Sequence, residues 1–188
     1  MLDPYDEATG PALGTVLEAD RGSLPFALIH GESLVACAGW ALGAAEVTAI
    51  SASVAWSGIQ DYGEPFVLHD SLCPMTPVAF IAECVRVARD EDVVAVGVRP
   101  VTDTVKTVVH GTVGATVDRT GLLSVCSPVV LPASVCAALR TAPEQSLVEL
   151  VRSLRASHRV RLLAAPPEAR RVSSLDDVRL LEALTERR

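Results

Sequence analysis

Apolar runs alternate with helix-like spacing along the first half of the chain, and this alternation predicts strands and helices in turn. Residues 32–45 carry apolar side chains at intervals of three and four, which is typical of a helix packed on one face. Residues 64–70 are apolar up to a polar end, which predicts a buried strand. Thr76 is expected to cap a helix that has Pro77 in its first turn and ends at residue 89. Shorter strands are predicted at residues 15–19 and 47–54.

The second half begins with a valine-rich strand at residues 93–98. Such continuous apolar strands are typical of parallel sheets that helices cover on both faces. Residues 103–118 instead alternate in polarity around central glycines, which predicts a hairpin. The chain closes with a helix at residues 175–186, capped by Ser173 or Ser174 ahead of two aspartates. Between the hairpin and this closing helix, the pattern predicts further helices at residues 131–141 and 144–157 and a strand at 160–164.

The order of these elements predicts an α/β domain of three layers with a mainly parallel sheet. In such sheets ligands bind beyond the carboxyl ends of the strands, so the segments that follow each strand are the places to look for chemistry. The two tryptophans, Trp40 and Trp56, are expected in the core.

The composition is that of a globular protein, since 49% of the 188 residues are hydrophobic and 21% are charged. We expect a single domain over residues 1–188, with residues 1–13 flexible. No apolar run approaches the ~20 residues that cross a bilayer. The acidic start lacks the positive charge and apolar run of a signal peptide, so we expect a cytoplasmic protein with no membrane partner.

Charge and cysteine placement argue against other classes of function. Residues 1–139 have a net charge of −10 and residues 140–188 of +3. An acidic body of this kind argues against nucleic acid as a partner. The five cysteines are scattered without any C-x-x-C spacing, which predicts neither a disulfide framework nor a metal site. Of the 16 basic residues, only Lys106 is a lysine.

Four segments that follow predicted elements carry polar residues in a distinctive order. They are LHDSLCP at 68–74, RPVTDTVK at 99–106, TVDRTGLLSVCSP at 116–128 and RRVSSLDDV at 170–178. In this order and spacing they resemble the elements H-D-A-A-R-P, P-V-x-D-T-x-K, E/D-R-x-G-L-W-x-x-x-T-P-Q and N-I-K-x-T-x-P-E-D-L of the 2-C-methyl-D-erythritol 4-phosphate cytidylyltransferases of isoprenoid biosynthesis. The second segment is the most specific match, because it contains the only lysine of the chain.

The resemblance implies a Rossmann-like nucleotidyltransferase core with a protruding β-hairpin arm, here about residues 103–119, that forms a homodimer. It also implies CTP and a sugar or polyol phosphate as ligands, with Mg²⁺ as the cofactor of an active enzyme. In the family, methylerythritol phosphate attacks the α-phosphate of CTP and pyrophosphate leaves. Cations and N–H donors must therefore surround the reacting phosphates.

The resemblance also implies roles for individual residues. Arg21 and Arg171 are the expected catalytic cations, with Arg171 in the place of a C-terminal lysine of the family. The arm is predicted to bring Thr104 and Arg119 of one subunit towards Asp70 and Arg171 of the other, where a phosphate is expected to bind. The expected substrate-binding residues are Asp70, Asp103, Thr104, Lys106, Arg119 and Ser127.

Plainer interpretations of three of these residues stay open. An aspartate at a strand end, such as Asp70, is also typical of a turn. Arg119 is placed to form a surface ion pair with Asp118 or Asp103, which would be worth little. Arg21 has the sequence surroundings of an ordinary surface arginine.

The chain departs from the family's pattern on the nucleotide side. The segment LEADRGSLPFA at 17–27 has one glycine where the family has a glycine-rich phosphate loop, and it adds two carboxylates, Glu18 and Asp20. Phe26 stands in the place of a phosphate-binding lysine, and Cys73 in the place of an arginine. Both changes remove positive charge that the phosphates of CTP require.

Two hypotheses of function follow. The first is a divergent cytidylyltransferase-like enzyme with a degraded nucleotide-binding loop, which transfers a nucleotide to a sugar or polyol phosphate. The second is a non-catalytic dimeric homologue, a pseudoenzyme with a binding or regulatory role. Binding of CTP in the presence of magnesium discriminates between them.

Overall fold

A computed structural model describes residues 10–51, 53–143 and 146–186. The strands within these ranges are β1 (Ala12–Leu17), β2 (Leu28–Ile29), β3 (Glu32–Ser33), β4 (Val47–Ala49), β5 (Phe66–Asp70), β6 (Val94–Pro100), β7 (Val105–Val109), β8 (Thr112–Val117), β9 (Leu123–Leu131) and β10 (Val160–Ala164). The α-helices are α1 (Leu34–Ala44), α2 (Trp56–Tyr62), α3 (Val78–Glu91), α4 (Ala133–Ala138), α5 (Leu147–Leu154) and α6 (Leu175–Thr185).

Six of the strands form one sheet in the order β10-β6-β9-β5-β1-β4. Neighbouring strands run parallel except for β9, which pairs antiparallel with both β5 and β6. The predicted α/β fold with a mainly parallel sheet is therefore confirmed. Strands β7 and β8 form a separate two-stranded ribbon, which is the predicted hairpin.

Helices cover both faces of the sheet, because its central strands are apolar on both sides. Val67 on β5 belongs to a core cluster with residues of α1 and α3, whereas the neighbouring Leu68 belongs to a cluster with residues of α2, α4 and α5. Successive strand residues point to opposite faces, so the three predicted layers are confirmed. A third cluster joins α1 to α6 through Leu34 and Leu181, which are both fully buried.

The central strand β9 was not predicted, because Pro128 within it argues against a strand. Proline cannot donate a hydrogen bond to a neighbouring strand and is tolerated at bulges. The register between β6 and β9 shifts between Val96 and Val98, and Pro128 lies in the stretch of β9 opposite this shift. Gly97 lies at the same point, where an added Cβ would come within 3.1 Å of the Ser127 carbonyl oxygen. The bulge therefore accommodates the proline and requires a small residue on β6.

Several predicted boundaries differ from the structure. The strand predicted at 47–54 ends at Ala49, and α2 follows where no helix was predicted. The helix predicted from residue 131 is shortened to α4, since β9 extends to that residue and Pro132 is the N-cap. Thr76 does not cap α3: its hydroxyl is buried and donates to the Cys73 carbonyl at 2.9 Å, and Pro77 is the N-cap residue.

The predictions for the tryptophans and for the first residues are partly wrong. Trp40 is 61% exposed, whereas the Trp56 ring packs edge-on against Phe66 with centroids 5.5 Å apart. Ala12 and Leu13, which were expected to be flexible, are buried in β1, and residues 1–9 lie outside the described residues. Within the described ranges, no helix combines the length and the apolar character that crossing a membrane requires.

The arm carries an apolar surface that the described part of the chain leaves exposed. Val108, Val109 and Val113 are 59–66% exposed at the end of the ribbon. A two-stranded ribbon is marginally stable alone in water. Its predicted role in a homodimer stays a prediction.

Candidate functional site

A cleft made of two adjoining cavities opens at the carboxyl ends of β1, β5 and β6. The first cavity measures about 410 Å³ and includes Arg21, Asp70 and Arg171 in its lining. The second cavity measures about 270 Å³, and Arg171, Ser124 and Cys126 line both. The cleft therefore lies at the edge of the sheet where ligands of α/β proteins bind.

Asp70 lines the first cavity and is held between two guanidinium groups. Arg21 Nε donates to Asp70 Oδ1 at 2.7 Å and Arg21 Nη2 donates to Oδ2 at 3.2 Å, so this pair is bidentate. Arg171 Nε donates to Oδ2 at 3.1 Å. The side chains of Arg21 and Asp70 are 8% and 5% exposed, so this ion pair is buried. The structure thus brings together three of the predicted site residues.

The surroundings keep the Asp70 carboxylate ionised. Burial raises the pKa of Asp70, but the hydrogen bonds from Arg21 and from the Leu72 backbone N–H, with the charges of Arg21 and Arg171, outweigh it and lower the pKa below its ordinary value. The Leu72 bond, at 3.0 Å, closes a tight turn directly after β5. Asp70 is therefore a turn residue and an ion-pair centre at once.

Ser127, predicted to bind substrate, lies behind Asp70 and is fully buried. Its hydroxyl accepts from the Asp70 backbone N–H at 2.9 Å and is hydrogen-bonded to His69 Nδ1. Burial lowers the pKa of His69 to about 4, although the charge of Asp70 opposes this. In the structure, Ser127 therefore fixes the position of Asp70.

The loop that carries Arg21 is fastened to β5 by Ser71. The backbone N–H and the hydroxyl of Ser71 both donate to the Leu17 carbonyl oxygen, at 3.0 and 2.7 Å. Asp20 and Gly22, on either side of Arg21, have positive φ angles of 61° and 60°. These two left-handed residues turn the chain sharply, and the Arg21 side chain returns to Asp70. The interpretation of Arg21 as an ordinary surface arginine is therefore wrong.

Only some of the other residues at which the chain departs from the family's pattern on the nucleotide side line the cleft. Asp20 lines the first cavity, whereas Glu18 is exposed outside it. Phe26 is 63% exposed. Cys73 and Cys126 line the first cavity, and burial raises the pKa of both thiols, so neither is an activated nucleophile.

Two arginines that sequence reasoning did not assign line the second cavity. Arg99, near the end of β6, donates through Nη1 to the Pro166 carbonyl oxygen at 2.7 Å. Arg170 precedes Arg171 and has one nitrogen 3.9 Å from Asp177 Oδ1. Both lie within segments that matched the family, and an arginine closing an apolar strand was the signal that could have identified Arg99.

The predicted arm residues are only partly near the cleft. Asp103 lines the second cavity, whereas Thr104 and Lys106 are exposed on the arm. Arg119 Nη1 donates to the Thr102 carbonyl oxygen. Within one chain, the structure does not place Thr104, Lys106 or Arg119 in the lining of either cavity. Their contact with a substrate requires a second subunit and stays a prediction.

The alternative interpretation, in which Arg119 forms an ion pair with Asp118 or Asp103, is wrong. Among the ion pairs of the described ranges, none joins Arg119 to Asp118 or Asp103. Asp118 instead accepts from the Thr120 backbone N–H at 2.9 Å. The arginine is held by a backbone carbonyl and keeps its charge available.

The described residues do not form a magnesium site by themselves. Among them, no group of three or more His, Cys, Asp or Glu side chains is placed to hold a metal ion. Mg²⁺ requires oxygen ligands, usually one or two carboxylates together with substrate phosphates. Both oxygens of Asp70 are occupied by guanidinium groups. The described residues therefore do not supply a full ligand set, and substrate phosphates would have to provide the remaining oxygen ligands of the ion that the resemblance implies.

Solved structures of nucleotidyltransferases share this fold. The 2-C-methyl-D-erythritol 4-phosphate cytidylyltransferase of Thermus thermophilus matches with a TM-score of 0.64 and 19% identity, over 93% of this chain and 98% of that chain. The 4-diphosphocytidyl-2C-methyl-D-erythritol synthase of Anaerococcus prevotii matches with a TM-score of 0.64 and 10% identity, over 96% and 97%. CMP:2-keto-3-deoxy-manno-octonic acid synthetase complexed with CTP matches with a TM-score of 0.56 and 14% identity, over 93% and 97%.

Comparison at the level of sequence identifies the family. No curated protein sequence matches the chain. The sequence model of the 2-C-methyl-D-erythritol 4-phosphate cytidylyltransferases matches residues 48–185, well over half of the chain. This range contains β5 with Asp70, the arm, β9 and Arg171. With this match and the shared fold, the chain belongs to the 2-C-methyl-D-erythritol 4-phosphate cytidylyltransferase family.

Proposed function

We propose that this chain is a cytidylyltransferase-like enzyme that transfers the cytidylyl group of CTP to a sugar or polyol phosphate bound in the cleft. One observation carries the proposal: Arg21 and Arg171, 150 residues apart, converge on Asp70 in the first cavity. Two guanidinium groups in one cavity suit the recognition of phosphates. The family supplies the reaction type.

The arrangement supports the chemistry of in-line transfer. An oxygen of the acceptor phosphate attacks the α-phosphorus of CTP, and the bond from that phosphorus to the oxygen that bridges to the β-phosphate breaks. Pyrophosphate leaves with the electron pair. Arg21 and Arg171 offset the negative charge that gathers around the α-phosphate. Asp70 orients both guanidinium groups before the ligands bind, because it is itself fixed by Ser127 and Leu72.

A specific observation favours the second candidate, a non-catalytic dimeric homologue. Asp20 places a carboxylate in the lining of the first cavity, where it repels a triphosphate. Cys73, in the same cavity, replaces a positively charged residue of the family. If these changes abolish nucleotide binding, the chain is a binding or regulatory protein that kept the fold.

Pyrophosphate release tests the proposal. Wild-type protein is incubated with CTP, Mg²⁺ and 2-C-methyl-D-erythritol 4-phosphate, alongside Arg21→Ala and Arg171→Ala. Each variant is expected to lose roughly tenfold or more in kcat/KM, since a hydrogen bond to a charged group is worth about 1.5–3 kcal/mol. Arg152→Ala is the matched control, because Arg152 pairs with Glu149 on an exposed helix face. Absence of pyrophosphate with the wild type at millimolar CTP supports the non-catalytic candidate.

We further propose that residues 1–188 form one domain that works as a homodimer through the arm. The exposed valines of the arm support this assembly, because a partner surface would bury them. In such a dimer, Thr104 and Arg119 would bring a hydroxyl and a guanidinium fork to the partner's cleft. This combination suits a phosphate monoester.

A further inference from the structure

Helix α1 is apolar on the face that points to solvent as well as on the face that packs on the sheet. Its sequence, LVACAGWALGA, contains no charged, amide or hydroxyl side chain. The buried residues Leu34, Ala38, Ala41 and Leu42 form the inner face. A surface helix normally has polar residues opposite such a face, and a helix that is apolar all round is normally buried. The outer face of α1 is therefore unusual for a surface that contacts only water.

This outer face has an exposed tryptophan at its centre. Ala36, Gly39, Trp40 and Gly43 follow the spacing i, i+3, i+4, i+7, which places them on one side of a helix. Trp40 is 61% exposed. Tryptophan is enriched among the residues that carry most of the energy of protein–protein binding. None of these four residues lines either cavity of the cleft, so this surface is separate from the candidate active site.

Two exposed glutamates lie at the ends of this face. Glu32 comes two residues before α1 and Glu46 two residues after it. Among the ion pairs of the described ranges, none involves either glutamate. Their separation along the chain corresponds to about 21 Å of helix. The apolar face is therefore bracketed by two negative charges that need a partner.

These charges discriminate between the possible occupants of the face. A second copy packed along the same face would bring its own glutamates against Glu32 and Glu46, and like charges across an interface disfavour association. An anionic lipid surface would be repelled in the same way. A partner with positive charge at both ends of an apolar stripe is complementary to the whole surface.

We infer that the outer face of α1 binds an amphipathic helix of another protein, which covers Trp40 with its apolar side and carries lysine or arginine near both ends, about 20 Å apart. The apolar contact supplies the affinity, and the two glutamates fix the position of the partner helix along α1. Because the surface lies outside the cleft, this inference does not depend on the proposed function.

The test uses two synthetic helical peptides of about 18 residues, the length of helix that spans both glutamates. Both have leucines at intervals of three and four and glutamine elsewhere; one has two lysines at each end, and its twin has two glutamates at each end. Each peptide carries a fluorophore, and its anisotropy is measured against increasing concentrations of the full chain. The basic peptide is expected to bind roughly tenfold or more tightly than the acidic twin, and to shift the emission of Trp40 to shorter wavelength.

Variants of exposed residues locate the binding surface. Trp40→Ala is expected to weaken binding of the basic peptide by roughly tenfold or more, as for a central residue of an interface. Tyr62→Ala is the matched control, because Tyr62 is 53% exposed on α2, which packs on the opposite face of the sheet. Its affinity for the basic peptide should stay within about twofold of the wild-type value.

A second set of variants separates local charge from the negative charge of the whole chain. Replacing both Glu32 and Glu46 by glutamine should reduce the preference for the basic peptide to about threefold or less. Asp61→Asn, on the exposed side of α2, should leave that preference unchanged.

Four results overturn the inference. They are equal affinity for the two peptides, no binding of the basic peptide at millimolar concentration, an equal effect of Trp40→Ala and Tyr62→Ala, and a preference for the basic peptide that survives the double glutamine substitution. Two further results assign the face to a different occupant and also overturn it. Sedimentation with phosphatidylcholine vesicles that Trp40→Ala abolishes would indicate a lipid surface, and a lower light-scattering mass of Trp40→Ala than of the wild type would indicate a second copy.

Discussion

At the scale of single residues, Asp70 determines how the cleft is arranged. Its carboxylate accepts from Arg21, Arg171 and the Leu72 amide, and its own amide is held by Ser127. A carboxylate with so many donors is pre-organised, because ligand binding does not have to order the cations first. The same arrangement makes Asp70 important for stability.

Replacing Asp70 by alanine should destabilise the fold by about 3 kcal/mol, since it leaves the buried Arg21 guanidinium without its carboxylate. Urea unfolding followed by circular dichroism measures this loss. Asp90→Ala is the matched control: Asp90 pairs with Arg86 on α3, where both side chains are at least half exposed, and its loss should cost less than about 1 kcal/mol. Equal effects of the two substitutions would contradict the role given to the buried pair.

His69 should make the stability of the protein depend on pH in a defined window. Its pKa is about 4 in the folded state, against an ordinary value of 6.5, because burial disfavours the charged form. Between these two pH values the unfolded state binds a proton that the folded state does not. His69 therefore costs no stability above pH 6.5, and the free energy of unfolding falls as the pH drops from 6.5 towards 4. The loss attributable to His69 is about 3 kcal/mol.

Urea unfolding at pH values between about 7 and 4.5 measures how steeply the free energy of unfolding depends on pH. His69→Asn keeps a side chain that can donate to or accept from the Ser127 hydroxyl but does not titrate. The free energy of unfolding of this variant should therefore depend less steeply on pH, by up to one proton. Asp70 acts in a separate window, because the stability that its lowered pKa contributes is fully present above pH 3.8 and is lost only as the pH falls below that value. A variant slope equal to that of the wild type throughout this range would rule out His69 as the source.

Part of this site could be predicted from the sequence. Asp70 and Arg171 were identified because they lie in segments that match elements of the family, and Arg21 because it is the cation of the loop after the first strand. The buried bond between His69 and Ser127 could not be, since it depends on β9 lying beside β5. Arg99 was missed because an arginine after an apolar strand is usually a solvated end.

At the scale of elements, the β1 loop should limit the affinity for CTP. Asp20 lines the first cavity, so Asp20→Asn removes a charge that repels the triphosphate. Calorimetry with CTP and Mg²⁺ is expected to show weak binding by the wild type and roughly tenfold tighter binding by Asp20→Asn, as expected for a change of about 1.4 kcal/mol.

Glu18→Gln is the matched control for this loop. Glu18 lies two residues away and is exposed, but it is not part of the cavity lining. Its substitution should change the affinity for CTP less than twofold. If both substitutions tighten binding equally, the effect comes from overall charge and not from the position of Asp20.

The elements themselves were predicted unevenly, for physical reasons. Strands β5, β6 and β10 and helix α5 follow from the hydrophobic pattern, because long apolar patterns dominate local preferences. Helices α3 and α6 were predicted from the same kind of pattern together with signals for a helix start. Strand β9 escaped prediction, since Pro128 is tolerated only through a bulge that forms in the assembled sheet. Helix α2 is short and contains a glycine, and its stability comes from packing of Ile59 and Trp56 on the core.

At the scale of the whole molecule, the arm should decide the oligomeric state. We expect light scattering to give twice the chain mass of 19.8 kDa at micromolar concentration. Replacing the cross-strand pair Val108 and Val113 by glutamate should shift this mass to that of the monomer, because buried charges oppose association. Leu180→Glu, on the exposed face of α6, is the control and should leave the mass unchanged. A concentration-independent monomer of the wild type would exclude the arm-mediated dimer.

The single lysine of the chain lies exposed on β7, within this arm. Apart from the α-amino group, amine-reactive reagents therefore have one target in the molecule, and it reports on the arm. A fluorophore on Lys106 would sense through its anisotropy whether the ribbon tumbles freely or is immobilised. Apart from links through the α-amino group, a short bifunctional amine reagent would join two chains only where their arms lie close together. The sequence thus provides a labelling handle at the element that most needs one, without an engineered residue.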